Sequence, residues 1–128
     1  MKAYQLILLY LATNLSLSIN AFELKQSVQN DIPHLEKIYQ HLHQTPELSK
    51  FEFNTAKFLA KELKQYGFDV TEGLAKTGVV AILKNGNGPT VMLRADTDAL
   101  PVLERTGVTY ASTATMVNEA GESVPVMV

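Results

Sequence analysis

Two apolar runs either side of a Gly/Asn-rich turn constrain this chain most: Val79 to Leu83 and Thr90 to Arg94, within "TGVVAILKNGNGPTVMLRA". Short β-rich runs around such a turn predict the two strands of a hairpin. The connection from Asn85 to Pro89 is longer than two residues, so the turn type stays open. Both runs are almost continuously apolar instead of alternating, the pattern of strands covered on both faces. Such strands need helices to cover them.

Helices are available upstream. Asn30, Asp31 and Pro33 are helix-starting residues, and Leu35, Ile38, Tyr39 and Leu42 then recur on one helical face. Pro46 disfavours helical geometry at Thr45 and ends that segment. A second helix is predicted from Glu52 to Tyr66, with Thr55, Phe58, Leu59 and Leu63 as its buried stripe. Lys57, Lys61, Glu62 and Lys64 lie outside it, and Gly67 is placed for a left-handed C-terminal cap. "FDVTEG" reads as a short strand ending near Gly73, and the chain after Pro101 has no clear period and reads as loop. The expected fold class is α/β: two helices, then a mostly buried β-hairpin and a loop.

With 128 residues and 46% hydrophobic side chains, the chain fits one ordinary domain. A formal charge of −2 offers no basic footprint for nucleic acid and no polybasic membrane patch. There is no cysteine, which excludes disulfides, thiolate metal sites and a thiol nucleophile. The N-terminus, "MKAYQLILLYLATNLSLSINAFE", passes from Lys2 through an apolar run to small and polar residues. That order predicts a secretory signal over residues 1–21, with a secreted or periplasmic product starting near Phe22. Ile19 is larger than the ideal residue at its place before Ala21, so cleavage after Ser18 is the alternative. Thr13 and Asn14 interrupt a run already short of the roughly 20 apolar residues a membrane span needs. No membrane segment is expected after cleavage.

Three histidines and a group of acids are the candidates for chemistry. His34 and His41 share a helix face but are separated by two turns, roughly 10 Å, and His43 points elsewhere. None shows the i, i+4 spacing by which a helix grips zinc, so all three read as solvated or capping side chains. In "VMLRADTDALPVLERTG", Asp96 and Asp98 fall on the same side of an extended segment. At the end of a buried strand, that side opens into the crevice where α/β proteins bind ligands. Such a pair could hold a cation, orient a metal-bound histidine, or act as general acid and base. It could equally be a polar strand end, one acid capping a loop amide and Arg94 neutralising the other. Spacing leaves these readings open.

"LRADTDALPVLERTGVTYAS" resembles the signature block of the M20 metallopeptidase superfamily, in its amidohydrolase branch of N-acyl-amino-acid, hippurate and auxin-conjugate hydrolases. "HLHQTPELSKFEFNTAKFLAKELKQYGFDV" is similar to that branch's opening helix pair, and "TGVVAILKNGNGPTVMLRAD" to its first hairpin. The likeness runs from about Ile38 to Met127, with Thr97 where many members carry methionine.

The resemblance implies the N-terminal part of a zinc-peptidase-like catalytic domain over residues 22–128. The family reaction it implies is hydrolysis of an amide bond in a small N-acylated amino acid or peptide. A metal-activated water attacks, zinc or manganese being the expected metal, and a glutamate accepts the proton. By position Asp98 takes the place of a carboxylate that orients a metal-binding histidine, and Asp96 the place of a histidine ligand in a related branch. Arg94 and Glu104 are expected to be structural. In the family a stretch like "GESVPVM" precedes the histidine- and cysteine-bearing metal segment, whereas here Met127 is followed by Val128. Glu119 and Glu122 lie upstream of the position where the family carries its catalytic glutamate. The expectation is therefore a fragment that binds no metal and is inactive alone. Two alternatives are one chain of a split enzyme completed by the missing C-terminal portion, and a non-catalytic secreted binding module.

Overall fold

The computed structural model describes residues 2–128, with side chains described from residue 23 onward. The chain divides into two compact units, Met1–Tyr39 and Gln40–Val128. The first is helical throughout its described length, as part of α1 (Lys2–Gln44). The expected signal segment lies outside the described side chains. Among the described residues, no helix is long and apolar enough to cross a membrane.

The start expected near Asn30 is not a start. α1 continues through it, with Pro33 inside the helix, at the cost of one backbone hydrogen bond and about 3 kcal/mol. Residues 23–37 are all exposed, so local propensity, not packing, carries the helix here. Leu24, Lys25, Gln26 and Gln29 are good helix formers. Asn30 spends its side chain within the helix, accepting from Gln26 Nε2 at 3.3 Å, instead of capping an end.

The second unit opens with the last turns of α1, which stop two residues before Pro46 as that proline requires. Thr45 closes the end by giving both its N–H (3.1 Å) and its hydroxyl (2.7 Å) to the His41 carbonyl. After a tight turn, α2 (Phe53–Gln65) begins. Its first amides would be orphans, but Glu47 reaches across the turn to take them. Glu47 Oε1 accepts from Asn54 N–H (3.2 Å) and Asn54 Nδ2 (2.7 Å), and Oε2 accepts from Thr55 N–H at 2.8 Å. At the far end Gly67 adopts φ +82°. Its N–H goes to Lys64 O (3.1 Å) and that of Phe68 to Leu63 O (3.2 Å), a Schellman closure. Of the expected α2 stripe, Thr55 is buried and Phe58, Leu59 and Leu63 half-buried, and Lys57, Lys61 and Lys64 are exposed as expected; Glu62, expected outside, is half-buried, and Ala60, outside the expected stripe, is buried.

β1 (Asp69–Leu74) pairs antiparallel with β2 (Gly78–Ile82), from Asp69 opposite Ile82 to Leu74 opposite Gly78. The register slips between Glu72 and Leu74, where Gly73 takes φ +83°, a glycine bulge that frees one residue. α2 packs against both strands, and Lys64 pairs with Glu72 at 2.6 Å.

The predicted hairpin differs in two respects. β2 is the expected first strand, but its partner is β1 and not Thr90 to Arg94. Residues 83–98 form no strand, and Val91, Met92 and Leu93 are 82%, 85% and 95% exposed. Nor is the hairpin mostly buried: Val80 and Ile82 are 47% and 56% exposed. An apolar run becomes a strand only where another backbone takes its hydrogen bonds, and among the described residues none lies beside Thr90 to Arg94.

The segment after Pro101 holds more than loop. β3 (Thr115–Val117) and β4 (Ser123–Pro125) form a second antiparallel hairpin, Met116 opposite Val124. Its turn is organised by Asn118, whose Oδ1 accepts the N–H groups of Ala120 (3.0 Å) and Glu122 (2.9 Å). Leu48, Ala99 and Val126 make the small core, with Phe51, Met116 and Val124 around it. Bridges from Leu48 to Ala99 and from Leu100 to Met127 bring three remote segments together there.

Replacing Glu47 by alanine strips two amides of their acceptor at the start of α2. Loss of about 1–2 kcal/mol is expected on the scale of lost helix caps. The urea unfolding midpoint measures it; an unchanged midpoint would show the cap to be idle.

Candidate functional site

The tip that carries Asp96 and Asp98 is fixed from its C-terminal side. Ala99 N–H donates to the Glu47 carbonyl at 2.8 Å, and Ala99 itself is buried against Leu48 and Val126. Asp98, immediately before it, is half-buried. It borders an open cavity of about 500 Å³ lined also by Leu48, Phe51, Leu100, Asn118 and Glu119. Lys50, left-handed at φ +69°, pairs with Glu119 at 2.9 Å on the same rim. Both side chains are largely exposed, and such a pair contributes little to stability. The Lys50 ammonium nonetheless holds the Glu119 carboxyl below its ordinary range. Asp96 is largely exposed and pairs with Arg94 at 3.2 Å.

The tightest polar cluster lies behind this tip. Glu104 presents a side chain with no solvent exposure. Its Oε1 accepts from the Thr106 hydroxyl and, at 2.8 Å, from His43 Nε2. Its Oε2 accepts from Ser112 N–H. An ionised carboxylate only accepts, so His43 carries a proton on the nitrogen that faces it. Tyr110 packs edge-on against the His43 ring, centroids 5.2 Å apart. Ser112 passes the network on: its hydroxyl donates to Val126 O at 2.7 Å and accepts from Ala114 N–H at 3.1 Å.

Glu104 is structural, as expected, but His43 overturns its expectation. It is buried and bound to a carboxylate, not solvated. The spacing could not show this, because its partner stands 61 residues away. His41 is exposed, its ring 4.5 Å from that of Phe58, and His34 is exposed in the first unit. Glu47 and Glu52 were not singled out in the sequence; Glu52 is buried and accepts from the Thr77 hydroxyl at 2.7 Å.

A catalytic zinc needs about three protein donors and an open position. Among the described residues no three His, Cys, Asp or Glu side chains converge to hold a metal ion. Asp96 is engaged by Arg94, and the histidine nearest the tip in sequence terms, His43, is spent on Glu104. These residues do not by themselves fit a metal site.

The Thr106 hydroxyl, then His43, then the Ser112 amide hold the Glu104 carboxyl down from its ordinary 4.5 to about 2. A carboxylate depressed in the fold stabilises it above about pH 4.5, and that contribution fades as pH falls from 4.5 toward 2. Acid titration of the full chain is expected to show stability lost across that window. Glu104→Gln should remove that part of the pH dependence and lower stability at neutral pH. A variant with the same acid profile would show that Glu104 is not the group responsible.

No family model matches the chain. Single relatives do. The N-acetyl-L-cysteine deacetylase of Bacillus subtilis is 53% identical over 76 residues, 59% of this chain and 18% of the relative. The hippurate hydrolase of Campylobacter jejuni is 49% identical over 78 residues, 60% of this chain and 20% of the relative. Thermostable carboxypeptidase 1 of Saccharolobus solfataricus is 40% identical over 96 residues, 70% of this chain and 24% of the relative. The chain thus spans about a fifth to a quarter of the length of the curated relatives it matches. These identities settle kinship: the chain belongs to the M20 amidohydrolase family.

Proposed function

We propose that residues 22–128 supply the N-terminal part of a zinc-peptidase-like catalytic domain, exported by a signal over residues 1–21. The whole enzyme would hydrolyse the amide bond of an N-acylated amino acid or a small peptide. The observation that carries this reading is the identity to a deacetylase and a hippurate hydrolase over a segment of this length. The geometry around Asp98 supports it. That carboxylate is half-buried at a cavity mouth, and the next residue is pinned by a main-chain hydrogen bond and by the core. A carboxylate so held can orient a metal-binding side chain supplied from elsewhere. Asp96, exposed and paired with Arg94, is less confined.

In the complete enzyme a zinc or manganese ion would activate the attacking water. This chain's described residues do not hold that ion, so alone it would be inactive. It would need the rest of a catalytic domain, in the same chain or as a second product of a split enzyme.

Two experiments test the reading. The full chain, given N-acetyl-L-cysteine or hippurate with zinc or manganese, is expected to give no turnover; chelator-sensitive hydrolysis would refute its inactivity. In the second, the chain replaces its matched segment in the Bacillus subtilis deacetylase. The chimera is expected to deacetylate N-acetyl-L-cysteine, and Asp98→Asn to lower kcat by about 10- to 100-fold, the range for groups that orient metal ligands. A folded but inactive chimera would sink the proposal.

A further inference from the structure

Five asparagines fall among the residues whose side chains are described, and three of them are held. Asn30 sits within α1 and accepts from Gln26. Asn54 stands in the first turn of α2, its Nδ2 donating to Glu47 at 2.7 Å. Asn118 accepts the N–H groups of Ala120 and Glu122 and donates to the Glu122 carboxylate at 3.0 Å. The other two, Asn85 and Asn87, are exposed and lie outside every helix and strand, in the stretch "NGNGP" that follows β2. Each of these precedes a glycine, whereas Asn30, Asn54 and Asn118 precede Asp31, Thr55 and Glu119.

An asparagine side chain and the backbone nitrogen of the next residue are one bond short of a five-membered ring. Closing it needs a side-chain amide free to turn onto that nitrogen, and a nitrogen that nothing shields. Glycine meets the second need: it lacks the Cβ that crowds the attack, and its backbone reaches conformations other residues avoid. Gly86 already takes φ +79°. No atom beyond the chain neighbours lies within 4 Å of the point where a side chain would stand on Gly86 or Gly88. Among the described residues, the loop backbone hydrogen bonds include neither glycine's N–H. The reacting atoms sit on adjacent residues, so the reaction draws on nothing that the rest of a catalytic domain would supply.

We propose that Asn85 and Asn87 are sites of spontaneous covalent change, each converting through a cyclic imide to aspartate or isoaspartate. Water or hydroxide takes the glycine N–H proton, and the nitrogen attacks Cγ of the preceding asparagine. An N–Cγ bond forms; the Cγ–Nδ2 bond breaks, and Nδ2 leaves as ammonia after gaining a proton. Water then opens the ring at either carbonyl. One opening gives ordinary aspartate, and the other an isoaspartate whose main chain runs through the side-chain carbon. Nothing is oxidised or reduced. Conversion of both replaces two neutral amides by two carboxylates and carries the formal charge from −2 to −4. This goes beyond the hydrolase reading and is independent of it.

Peptide mapping of the full chain, held at neutral and at mildly alkaline pH, tests it. Trypsin cuts after Lys84 and Arg94 and frees both asparagines in one peptide, residues 85–94. Brief digestion at mildly acidic pH keeps the digest from adding conversion of its own. The peptide is expected to gain the mass of one amide-to-acid exchange and then of a second, faster at the higher pH, while Asn54 and Asn118 stay amides. Isoaspartate is read separately, as methyl groups transferred from S-adenosylmethionine by an isoaspartyl methyltransferase. Asn85→Gln should leave one exchange, and Asn85→Gln with Asn87→Gln none, because glutamine closes a six-membered ring more slowly. Gly88→Ala should slow exchange at Asn87 and leave Asn85 as it was, which separates attack by the glycine nitrogen from direct hydrolysis. Circular dichroism of each variant checks that the fold is intact. Two amides that persist in the wild type, conversion of Asn54 and Asn118 at the same rate, or a Gly88→Ala variant that converts as fast as the wild type would each overturn the proposal.

Discussion

One carboxylate gathers the second unit. Glu104 takes a proton donor from the end of α1, a second from the neighbouring Thr106, and a third from the backbone at Ser112. Ser112 then reaches Val126, the residue after β4. These segments are far apart in sequence, and the apolar core that would otherwise hold them is small: Leu48, Ala99 and Val126. Where so little apolar surface is buried, satisfied polar contacts decide the arrangement. A buried acceptor that has lost its donors is far costlier than an apolar group of the same size.

Glu104 does not act alone in this. Glu47 holds the first amides of α2, and Glu52 takes the Thr77 hydroxyl from the turn joining β1 to β2. All three are acceptors only, and each meets donors from another segment. Among the described residues no buried side-chain nitrogen or oxygen lacks a partner. For Glu104, whose carboxyl is held below its ordinary range, this ties the arrangement to pH in a way an aliphatic core would not.

What was legible in the sequence follows from this. The end of α1 at Pro46, the span and stripe of α2, and the left-handed Gly67 rest on neighbours within a turn or two, and the spacing showed them. Pro33 misled because an exposed helix can absorb one lost hydrogen bond when its other residues favour helix. Thr90 to Arg94 misled for a different reason: propensity reports how well residues suit a strand, and not whether a partner is present. The β3–β4 hairpin was hidden by its length, since three residues are too few to show alternation. His43 and Glu104 could not be joined from sequence, because each alone looks like an ordinary polar side chain. Asp96 and Asp98 were found, but only their surroundings separate them, one tethered and half-buried, the other largely exposed.

Two of the stretches that carry the family resemblance meet in the fold. "HLHQTPELSK" contributes His43, Glu47 and Leu48, and "LRADTDALPVLERTG" contributes Ala99 and Glu104. His43 bonds Glu104, the Glu47 carbonyl bonds Ala99, and Leu48 bridges to Ala99. The pairing sets the helix end against the residues that follow the acidic tip. It also divides the labour within the second stretch. Ala99 and Glu104 anchor the tip from behind, so its only half-buried acid, Asp98, meets the cavity at a fixed place. A change at His43 would thus reach Asp98 through Glu104 and the backbone between them, without touching the acid itself.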